Sequence, residues 1–346
     1  MDVQPRYVGA PAVLTLFDRP ILAIETSCDE TSAAIVHGRT VLSNVVASQI
    51  AMHRKWGGVV PEAAARAHVE AILPVIEEAF ANANIDKSEL GAVAATNRPG
   101  LVGALSVGVT AAKAIAYSLR VPLLGVHHLE GHLLSTLALD APPQFPHVCL
   151  IVSGGHTELV DVQAPGKYRI VGQTRDDAAG EAFDKGARLL GLGYPGGFAI
   201  QQEANSGNPH RYALPKGLSG DTIDFSFSGV KTAVLRLTEK EGASLNVPDA
   251  AASLQEAIVS VLVERALRAM DRMDSSALTL VGGVAANLEL RSRLAAACMQ
   301  NGYTFATPPL EFCTDNAAMI GLAASYRLAR GEADGWDLDV YPNAEL

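Results

Sequence analysis

The feature that most constrains the fold is a pattern that occurs twice along the chain. Residues 21–25 and 32–36 are apolar runs around the polar segment TSCDET, and residues 148–152 and 158–162 are apolar runs around SGGHT. Two short apolar runs joined by a tight polar turn are typical of an antiparallel β-hairpin. Each hairpin opens a half of the chain in which strand and helix patterns alternate. The repeat therefore predicts an α/β protein of two similar lobes with a cleft between them.

The remaining sequence fits that duplication. Apolar runs bounded by glycine or proline predict strands, and apolar residues spaced by three and four predict helices. The predicted strands are residues 92–96, 121–126 and 278–281, and the predicted helices are residues 61–80, 101–119, 129–139 and 287–299. The segment APP at residues 141–143 is the strongest break in the first half. We assign residues 1–20 to an N-terminal extension, residues 21–140 plus 315–346 to lobe I, and residues 141–314 to lobe II.

Composition excludes several classes of protein. Hydrophobic residues make up 49% of the 346 residues and charged residues 18%, which supports a large core and argues against a disordered chain. The net charge of −10 argues against a protein that coats nucleic acid unaided. No apolar run reaches the roughly 18 residues of a membrane helix, and residues 1–20 lack the features of a secretory signal. The four cysteines form no CxxC pair, so we predict a cytoplasmic protein with reduced thiols.

Two histidines supply the first candidate site. His128 and His132 are four residues apart, so on a helix they lie on one face and could share a divalent metal ion. Leu129 follows the first histidine, where a thermolysin-type peptidase would have glutamate. A third, oxygen ligand from elsewhere in the chain would complete such a site. The alternative is a pair of structural histidines at the start of a helix, and the spacing alone leaves both interpretations open.

Glycine-containing turns follow two of the predicted strands. The glycines of SGGHT allow backbone N–H groups to approach an anion closely, but an ordinary hairpin turn has the same pattern. Gly282 and Gly283 follow the strand at 278–281 and lead to Asn287. That asparagine either caps the next helix or binds a ribose or a base.

Two acidic positions also have two interpretations. Asp184, in the helical segment GEAFDK, either accepts hydrogen bonds from ribose hydroxyls in the cleft or lies on a solvated helix face. Asp315, in the segment CTDN, either caps the following helix or binds a metal ion. Cys28 lies beside Asp29 and Glu30, whose charges would raise the thiol pKa. We therefore expect a packed thiol there and not a nucleophile.

Taken in order, the motifs resemble those of one family, the bacterial tRNA N6-adenosine threonylcarbamoyltransferases (TsaD), whose fold is that of the actin/Hsp70/sugar-kinase-like ATPases. Each motif is short, but the ordered set covers nearly everything from residue 21 onward. The matching segments are IETSCDET (24–31), GGVVPE (57–62), VHHLEGHL (126–133), VSGGHT (152–157), DDAAGEAFDK (176–185), YPGG (194–197), DFSFSG (224–229), GGVAAN (282–287) and CTDN (313–316). The resemblance implies a duplicated, two-lobed actin-like fold with an interlobe cleft.

The resemblance also implies roles for individual residues. His128, His132 and Asp315 would hold the metal ion, and Asp29 and Glu30 would lie near the reacting group. We assign the role of base or orienting group to Asp29. The residues implied to bind the nucleotide and its acyl end are Ile151, Val152, Ser153, Gly154, Gly155, Asp184, Gly197 and Asn287.

The implied reaction transfers a threonylcarbamoyl group from threonylcarbamoyl-AMP to N6 of the adenosine 3′-adjacent to the anticodon, in tRNAs that read codons starting with adenine, and releases AMP. The implied cofactors are one divalent metal ion per chain, iron first and zinc as the alternative, and a nucleotide (threonylcarbamoyl-AMP, ATP or ADP) with Mg²⁺ as an optional companion. The implied partners are tRNA, TsaB-like and TsaE-like proteins, and a TsaC-type synthase that supplies the acyl-adenylate. No membrane is implied.

Three features depart from the family pattern. Arg98 replaces a glycine of the usual T-x-GPGL segment, so the backbone there should not depend on a positive φ. Its side chain either reaches nucleic acid or a partner, or is an exposed loop cation. Phe198 replaces a proline that commonly follows YPGG. Residues 1–20 precede the usual start of the family and have no role that we can derive.

Three other functions remain open from the sequence. A metallopeptidase would use the two histidines, although Leu129 stands where its glutamate is needed. An actin-like ATPase or small-molecule kinase would hold phosphates with the two hairpin turns. A non-catalytic scaffold that only binds nucleotide would be unaffected by loss of His128 or Asp315.

Overall fold

Two five-stranded mixed sheets form the framework of the protein. The structure, a computed structural model, describes residues 15–346, so residues 1–14 of the predicted extension lie outside the described residues. The strands are β1 (Ile21–Glu25), β2 (Glu30–His37), β3 (Thr40–Ser48), β4 (Ala92–Arg98), β5 (Leu123–His127), β6 (His147–Val152), β7 (Thr157–Ala164), β8 (Lys167–Gln173), β9 (Ala277–Val281) and β10 (Thr304–Ala306). The first sheet has the order β3-β2-β1-β4-β5 and the second the order β8-β7-β6-β9-β10. Because the two orders correspond strand for strand, the predicted duplication is confirmed.

Both predicted hairpins are present at the centre of the sheets. β1 pairs antiparallel with β2, and β6 pairs antiparallel with β7. On their other sides β1 and β6 pair in parallel with β4 and β9. The third antiparallel strands, β3 and β8, were not predicted. Their sequences mix polar and apolar residues, because both strands are only partly buried, and such a pattern is a weaker signal than an apolar run.

Ten α-helices cover the sheets in the described part of the chain. They are α1 (Ile50–His53), α2 (Pro61–Ala83), α3 (Val102–Leu119), α4 (His128–Leu134), α5 (Ala179–Leu189), α6 (Gly196–Ala204), α7 (Ser228–Glu241), α8 (Val247–Arg272), α9 (Leu288–Asn301) and α10 (Ala317–Ala329). The predicted helices at 61–80, 101–119 and 287–299 are confirmed as α2, α3 and α9. The helix predicted at 129–139 is shorter, because α4 ends after about two turns and tightens into a 3₁₀ helix, Ser135–Ala138.

The expectation that no apolar run is long enough to span a membrane is wrong for α3. Its 18 residues suffice by length and composition. In the sequence of α3, glycine and serine residues and Lys113 separate the apolar residues into shorter runs. In the structure α3 packs on α2 and β4, with Ala104, Val109 and Ala116 buried. One face of α3 therefore packs against the protein, and 33% of its residues are buried.

Apolar residues join the two sheets next to the cleft. Leu129 and Leu133 of α4 belong to one buried cluster with Cys149 and Ile151 of β6 and Val281 of β9. Separate cores fill both faces of the first sheet and the helical side of the second. α10 follows the second sheet in the chain but packs against β1 and β2 of the first. The boundaries of the lobes at residues 140 and 314 stay a prediction.

Position 282, directly after β9, requires glycine because of its backbone conformation and because other atoms lie too close for a side chain. Its φ of 92° and ψ of 168° lie in a region that is essentially restricted to glycine, and a Cβ there would lie 2.5 Å from the carbonyl oxygen of Val152. We expect Gly282→Ala to lower the free energy of unfolding by at least about 2 kcal/mol, measured by urea denaturation. Gly283→Ala is the matched control, because its Cβ would meet nothing within 4 Å. Equal stability of the two variants would contradict this prediction.

Candidate metal centre and active-site cleft

The two histidines lie at the start of α4, at the carboxyl end of β5. β5 ends at His127, whose Nδ1 accepts a hydrogen bond from the backbone N–H of Leu129 at 3.2 Å and caps the helix. The chain turns there from strand to helix, which places His128 and His132 one turn apart. Their ring centroids are 4.7 Å apart. The prediction that both imidazoles share one helix face is confirmed.

Asp315 approaches the histidines from the start of α10. Asn316 is the N-cap of that helix, and its Oδ1 accepts a hydrogen bond from the N–H of Met319 at 3.2 Å, so Asp315 is not used as the cap. Oδ1 of Asp315 lies 3.1 Å from Nε2 of His132 and 3.4 Å from Nε2 of His128. One potential ligand atom from each of these three residues lies within 4.8 Å of the other two. The structure thus brings together the three residues that the resemblance implied as metal ligands.

The donor set of this cluster fits a divalent metal ion. Two imidazole nitrogens and a carboxylate oxygen are ligands that iron(II) and zinc accept. Nδ1 of His128 faces Oε2 of Glu25 at 3.1 Å, which leaves Nε2 directed at Asp315. A carboxylate in that position fixes the tautomer of a metal-binding histidine. Nδ1 of His132 is buried without a hydrogen-bond partner among the described residues. The residues present therefore fit the metal that the resemblance implies.

Opposite charges hold this cluster together. Burial disfavours a charge on His128, but Asp315 and Glu25 outweigh it and hold the pKa of His128 well above its ordinary value. Burial also disfavours a charge on Asp315, yet His128 holds the pKa of Asp315 well below its ordinary value. His132 differs, because burial lowers its pKa and favours the neutral imidazole, which retains a lone pair for a metal.

Glu25 is part of this site and was not predicted from the sequence. It ends the otherwise apolar strand β1 and is fully buried. Its Oε2 accepts a hydrogen bond from Oγ1 of Thr96 at 2.6 Å and lies beside His128. The available signal was a carboxylate at the end of a buried strand, because a buried charge needs a partner.

We expect Glu25→Gln to weaken metal binding. Glutamine keeps the size of the side chain but lacks the negative charge that orients the ring of His128. The expected loss of metal affinity is about 10–100-fold, measured by competition with a chelator. Glu158→Gln, a change in a buried glutamate of β7 outside the cluster, should bind metal like the wild type. Unchanged affinity in Glu25→Gln would show that this carboxylate does not support the ligand.

Asp29 lies in the turn of the first hairpin and Glu30 begins β2, and the charge of the candidate ligand Asp315 acts on Glu30. Asp29 is buried in this turn, and the charges of Asp29 and Asp315 both act on Glu30. The ring of His68 on α2 fixes the turn by a hydrogen bond to the carbonyl oxygen of Cys28 at 3.0 Å. Burial, followed by the charges of Asp29 and Asp315, raises the pKa of the Cys28 thiol. The prediction that this cysteine is not a nucleophile agrees with that shift.

Glu30 gives a pH-dependent prediction for stability. Burial and the charges of Asp29 and Asp315 raise the pKa of Glu30 to about 9, so the folded protein favours its protonated form. Stability from this group is present below the ordinary pKa of 4.5 and is lost as the pH rises towards 9. Glu30→Gln imitates the protonated form. In chelator-treated protein we compare the free energy of unfolding of Glu30→Gln with that of the wild type. The advantage of the variant over the wild type should be larger at pH 8 than at pH 5 by about 1 kcal/mol or more. A difference that is independent of pH would contradict the assignment.

The turn of the second hairpin lies on the other side of the cleft. Ser153 donates its N–H to the carbonyl oxygen of His156 at 2.8 Å and accepts the N–H of His156 on Oγ at 3.0 Å. A Cβ at Gly154 or Gly155 would meet nothing within 4 Å, so the backbone there faces open space. The N–H of Gly180, in the first turn of α5, donates to the carbonyl oxygen of Ser153 at 3.2 Å. The hairpin turn predicted as the alternative is present, and phosphate binding by this turn stays a prediction.

Ile151 and Val152 complete the segment implied to line the nucleotide. Both are fully buried in β6. Their side chains pack in the protein interior, so only their backbone groups could face a ligand.

Asp184 and Gly197 come together at the second lobe's side of the cleft. Oδ1 of Asp184, on α5, accepts the N–H of Gly196 at 2.7 Å, which holds the YPGG turn against α5. Burial raises the pKa of Asp184. The side chain of Asp184 is half-buried, so it is only partly solvated, and a contact with ribose hydroxyls stays a prediction. Gly197 follows in the same turn, at the start of α6, and a Cβ there would make only ordinary contact.

Asn287 has the helix-capping role that the sequence offered as one interpretation. Its Oδ1 accepts the N–H of Leu290 at 2.9 Å, and its Nδ2 donates to Oε1 of Gln255 at 2.9 Å. Capping is confirmed, and a contact of Asn287 with an adenosine stays a prediction.

Tyr194 belongs to the same cleft and was given no role from the sequence. Burial, then the charges of Asp29 and Asp184, raises the pKa of Tyr194, and these two carboxylates come from different lobes. Nε of Arg54, from the first lobe, donates to the carbonyl oxygen of Tyr194 at 3.3 Å. Tyr194 thus lies where the lobes face each other. An aromatic residue before a glycine-rich turn was the only sequence signal.

The two substitutions that depart from the family pattern have different environments. Arg98 ends β4 without a positive φ, as expected for a residue that replaces glycine. Its side chain is half-buried, so its interpretation as an exposed loop cation is wrong. The ring of Phe198 is 64% exposed.

Comparison with known proteins identifies the family. The model of the tRNA N6-adenosine threonylcarbamoyltransferase (TsaD) family matches residues 40–322. A relative with that name from Anaeromyxobacter dehalogenans is 53% identical over 327 residues, which are 93% of this chain and 98% of the relative. This chain belongs to the tRNA N6-adenosine threonylcarbamoyltransferase family. Transferases of the same name from Desulfitobacterium hafniense and Clostridioides difficile are 50% and 48% identical to it, over 95% and 94% of this chain and 98% of each relative.

Family membership confirms the resemblance carried by the motifs. Its similarity to the family model and to these relatives identifies the chain as a tRNA N6-adenosine threonylcarbamoyltransferase, an enzyme that modifies tRNA. The peptidase, kinase and scaffold functions left open by the sequence are set aside on the same ground.

Solved structures of much lower identity share the fold of the transferase. HypF from T. kodakarensis superimposes with a TM-score of 0.58 at 13% identity, over 92% of this chain and 50% of that chain. The activator of the 2-hydroxyisocaproyl-CoA dehydratase from Clostridium difficile gives a TM-score of 0.52 at 11% identity, over 90% of this chain and 96% of that chain. The predicted two-lobed actin-like fold is confirmed.

Proposed function

We propose that this transferase moves the threonylcarbamoyl group of threonylcarbamoyl-AMP to N6 of the adenosine 3′-adjacent to the anticodon, in tRNAs that read codons starting with adenine. The N6 lone pair attacks the carbamoyl carbon and a C–N bond forms. The C–O bond to the phosphate of AMP breaks, N6 gives up a proton, and AMP leaves. The observation that best supports the proposal is the convergence of His128, His132 and Asp315 beside both hairpin turns of the cleft.

The three convergent residues are proposed to hold one divalent metal ion, iron first and zinc as the alternative. Such an ion, when bound, supplies Lewis-acid stabilisation of the negative charge that develops on the acyl-adenylate. The protein positions the ligands before substrate arrives. Glu25 and Ser27 both contact Nδ1 of His128, at 3.1 and 3.2 Å, and fix the direction of its other nitrogen.

The nucleotide is proposed to lie along the second lobe. Gly154 and Gly155 leave backbone N–H groups open to an anion, and the N-terminus of α5 packs directly behind that turn. Asp184, Gly197 and Asn287 would hold the adenosine. Ile151, Val152 and Ser153 would contribute backbone and hydroxyl groups at the phosphate and acyl end, with Mg²⁺ as an optional companion of the nucleotide.

Asp29 and Glu30 are proposed to act on the incoming amine. An exocyclic amine is a weak nucleophile, so orientation and removal of its proton assist the attack. Asp29 is given the role of base or orienting group. Glu30, whose pKa is raised to about 9, is suited to donate a hydrogen bond and keep the Asp29 carboxylate in place.

The transferase is proposed to work in the cytoplasm, away from membranes, within a larger system. TsaB-like and TsaE-like proteins would be its partners in this system, and a TsaC-type synthase would supply threonylcarbamoyl-AMP. The net charge of −10 supports this, because an acidic protein binds tRNA poorly by itself. We expect the isolated chain to modify tRNA poorly, and efficient multiple turnover without companion proteins would contradict the assembly.

A direct assay tests the proposed reaction. The metal-loaded enzyme is incubated with threonylcarbamoyl-AMP, companion proteins and unmodified tRNA, and the digested nucleosides are analysed by mass spectrometry. The expected result is conversion of one adenosine per tRNA to its threonylcarbamoyl derivative, with release of an equal amount of AMP. Unmodified adenosine together with intact enzyme and substrate would overturn the proposal.

A further inference from the structure

An exposed tryptophan lies on a short cationic segment that follows α1. The chain forms one turn of 3₁₀ helix there, Arg54–Trp56, which ends at Gly57. All three side chains of this turn are exposed, and the ring of Trp56 is 55% exposed. The steps proposed above for the transfer use none of these side chains.

A series of contacts connects Trp56 to Asp29 in the turn of the first hairpin. The N–H of Gln49 donates to the carbonyl oxygen of Asp29 at 3.0 Å. Oε1 of Gln49 lies 3.1 Å from Nε2 of His53, and Nδ1 of His53 accepts the N–H of Val60 at 3.3 Å. The ring of His53 is fully buried, and the ring of Trp56 lies against it with a centroid distance of 5.9 Å. The tryptophan is therefore anchored on the segment that also holds the backbone of Asp29.

The same turn contacts the opposite lobe. Nε of Arg54 donates to the carbonyl oxygen of Tyr194 at 3.3 Å. Tyr194 in turn lies within the influence of the charges of Asp29 and Asp184. The contact of Arg54 therefore spans the cleft close to the residue proposed to act on the incoming amine. Because Trp56 is two residues from that contact, its exposed ring lies at the rim of the cleft.

The segment that carries Trp56 is cationic, although the whole chain has a net charge of −10. The sequence contains no aspartate or glutamate between Glu30 and Glu62, and Arg54 and Lys55 directly precede the tryptophan. Among residues 15–346 neither of these cations forms an ion pair, and the Nη groups of Arg54 make no hydrogen bond. Both cations are therefore available to a negatively charged partner.

An exposed aromatic ring beside two such cations fits an unpaired nucleotide. Unpaired bases stack on aromatic side chains, and arginine and lysine contact the phosphates of the same strand. An enzyme that acts on a base takes that base out of the stack, which also exposes the faces of its neighbours. A protein partner would need a larger apolar patch, but Trp56 is the one large apolar residue among residues 47–68 that is exposed.

We propose that Trp56 stacks on an unpaired base next to the target adenosine of the tRNA, and that Arg54 and Lys55 contact the phosphates of that strand. Trp56 binds the RNA strand and takes no part in breaking or forming the bonds of acyl transfer. The position of this base, next to the target, rests on the proposed function of Asp29. The contact of Trp56 with RNA does not.

The two tryptophans of the chain form a matched pair for a fluorescence test. Trp336 is 54% exposed, almost the same as Trp56, but aspartates stand close to it at positions 334 and 337. Full-length Trp336→Phe contains only Trp56, and Trp56→Phe contains only Trp336. Each is titrated at low ionic strength with an RNA stem-loop that carries the target adenosine. The emission of Trp56 should show saturable quenching, and that of Trp336 should change only by the absorption of the RNA.

Affinity and kinetics give a second readout. Trp56→Ala should bind the labelled stem-loop at least about fivefold more weakly in an anisotropy titration, because it loses one stacked base. Trp56→Phe should retain part of this affinity, and Trp336→Ala should match the wild type. In the complete assay Trp56→Ala should raise the KM for tRNA by the same factor and leave kcat unchanged, since stacking holds the strand equally before and during transfer.

The dependence of RNA binding on salt tests the two cations. Arg54→Gln and Lys55→Gln should each lower the slope of log affinity against log salt by about one. Arg120→Gln, an exposed arginine at the end of α3, is the control and should keep the wild-type slope.

Several results would overturn the proposal. These are no binding of the stem-loop, binding without quenching of Trp56, equal quenching of both tryptophans, or wild-type RNA affinity in Trp56→Ala. Loss of a companion protein in Trp56→Ala with unchanged RNA affinity would also overturn it, because the ring would then dock a protein. Quenching of Trp56 in an enzyme that transfers no acyl group would support the RNA contact and overturn the proposed reaction alone.

Discussion

Asp315→Ala and His132→Ala are expected to abolish metal binding and, with it, transfer. Each change removes one of three converging ligand atoms, and the remaining two cannot complete a chelating site. Loss of a partner that merely orients a ligand costs about 10–100-fold in metal affinity, so loss of a ligand itself should cost more than about 100-fold. Elemental analysis of the purified variants and nucleoside analysis of treated tRNA measure the two effects.

The control for these variants is a buried histidine outside the cluster. His147, at the start of β6, is equally buried and bonds the carbonyl oxygen of Gln144 through Nδ1. His147→Gln should keep the metal and the activity. Full metal content in Asp315→Ala, with normal folding by circular dichroism, would mean that the ion is held elsewhere.

Asp29→Ala is expected to lower turnover strongly without loss of the metal. Asp29 lies in the first hairpin turn and is not one of the converging ligands, so the site behind it should stay formed. Removal of a group that accepts or orients the proton of the attacking amine costs about 10²–10⁴-fold in rate. Single-turnover rates with saturating acyl-adenylate and tRNA isolate this step from binding.

Asp29→Asn serves as the matched variant because it preserves shape and hydrogen bonding but cannot accept the proton as a carboxylate does. If Asp29 is the base, both variants should be slow. If Asp29 only orients the amine, Asp29→Asn should retain much of the wild-type rate. Metal content and nucleotide affinity should equal wild type in both. Normal turnover in Asp29→Ala with metal and nucleotide bound would remove this residue from the mechanism.

The central part of the fold was predictable because its strands are buried on both faces. β1, β6 and β9 consist almost wholly of apolar residues and stand out between glycine and polar turns. The outer strands β3 and β8 were missed because one of their faces is solvated and their sequences carry polar residues there. In the structure each of these strands pairs antiparallel with a strand of the neighbouring hairpin, β3 with β2 and β8 with β7.

The site was predictable where the sequence spacing itself has a geometric meaning. His128 and His132 could be paired because four residues make one helical turn. Their carboxylate partner could be named only through the family resemblance, since Asp315 is distant in sequence and the CTDN segment also resembles a helix cap. Glu25 and Tyr194 were not predicted, because their importance comes from neighbours contributed by other strands or by the opposite lobe.

Anomalous X-ray scattering from crystals of the metal-loaded transferase tests whether His128, His132 and Asp315 hold one metal ion. We expect one strong peak per chain, at about 2.0–2.2 Å from Nε2 of His128, Nε2 of His132 and an oxygen of Asp315. The peak should be absent from crystals of Asp315→Ala. A fully occupied metal elsewhere in the chain, or a wild-type cluster that stays empty while the enzyme transfers the threonylcarbamoyl group, would contradict it.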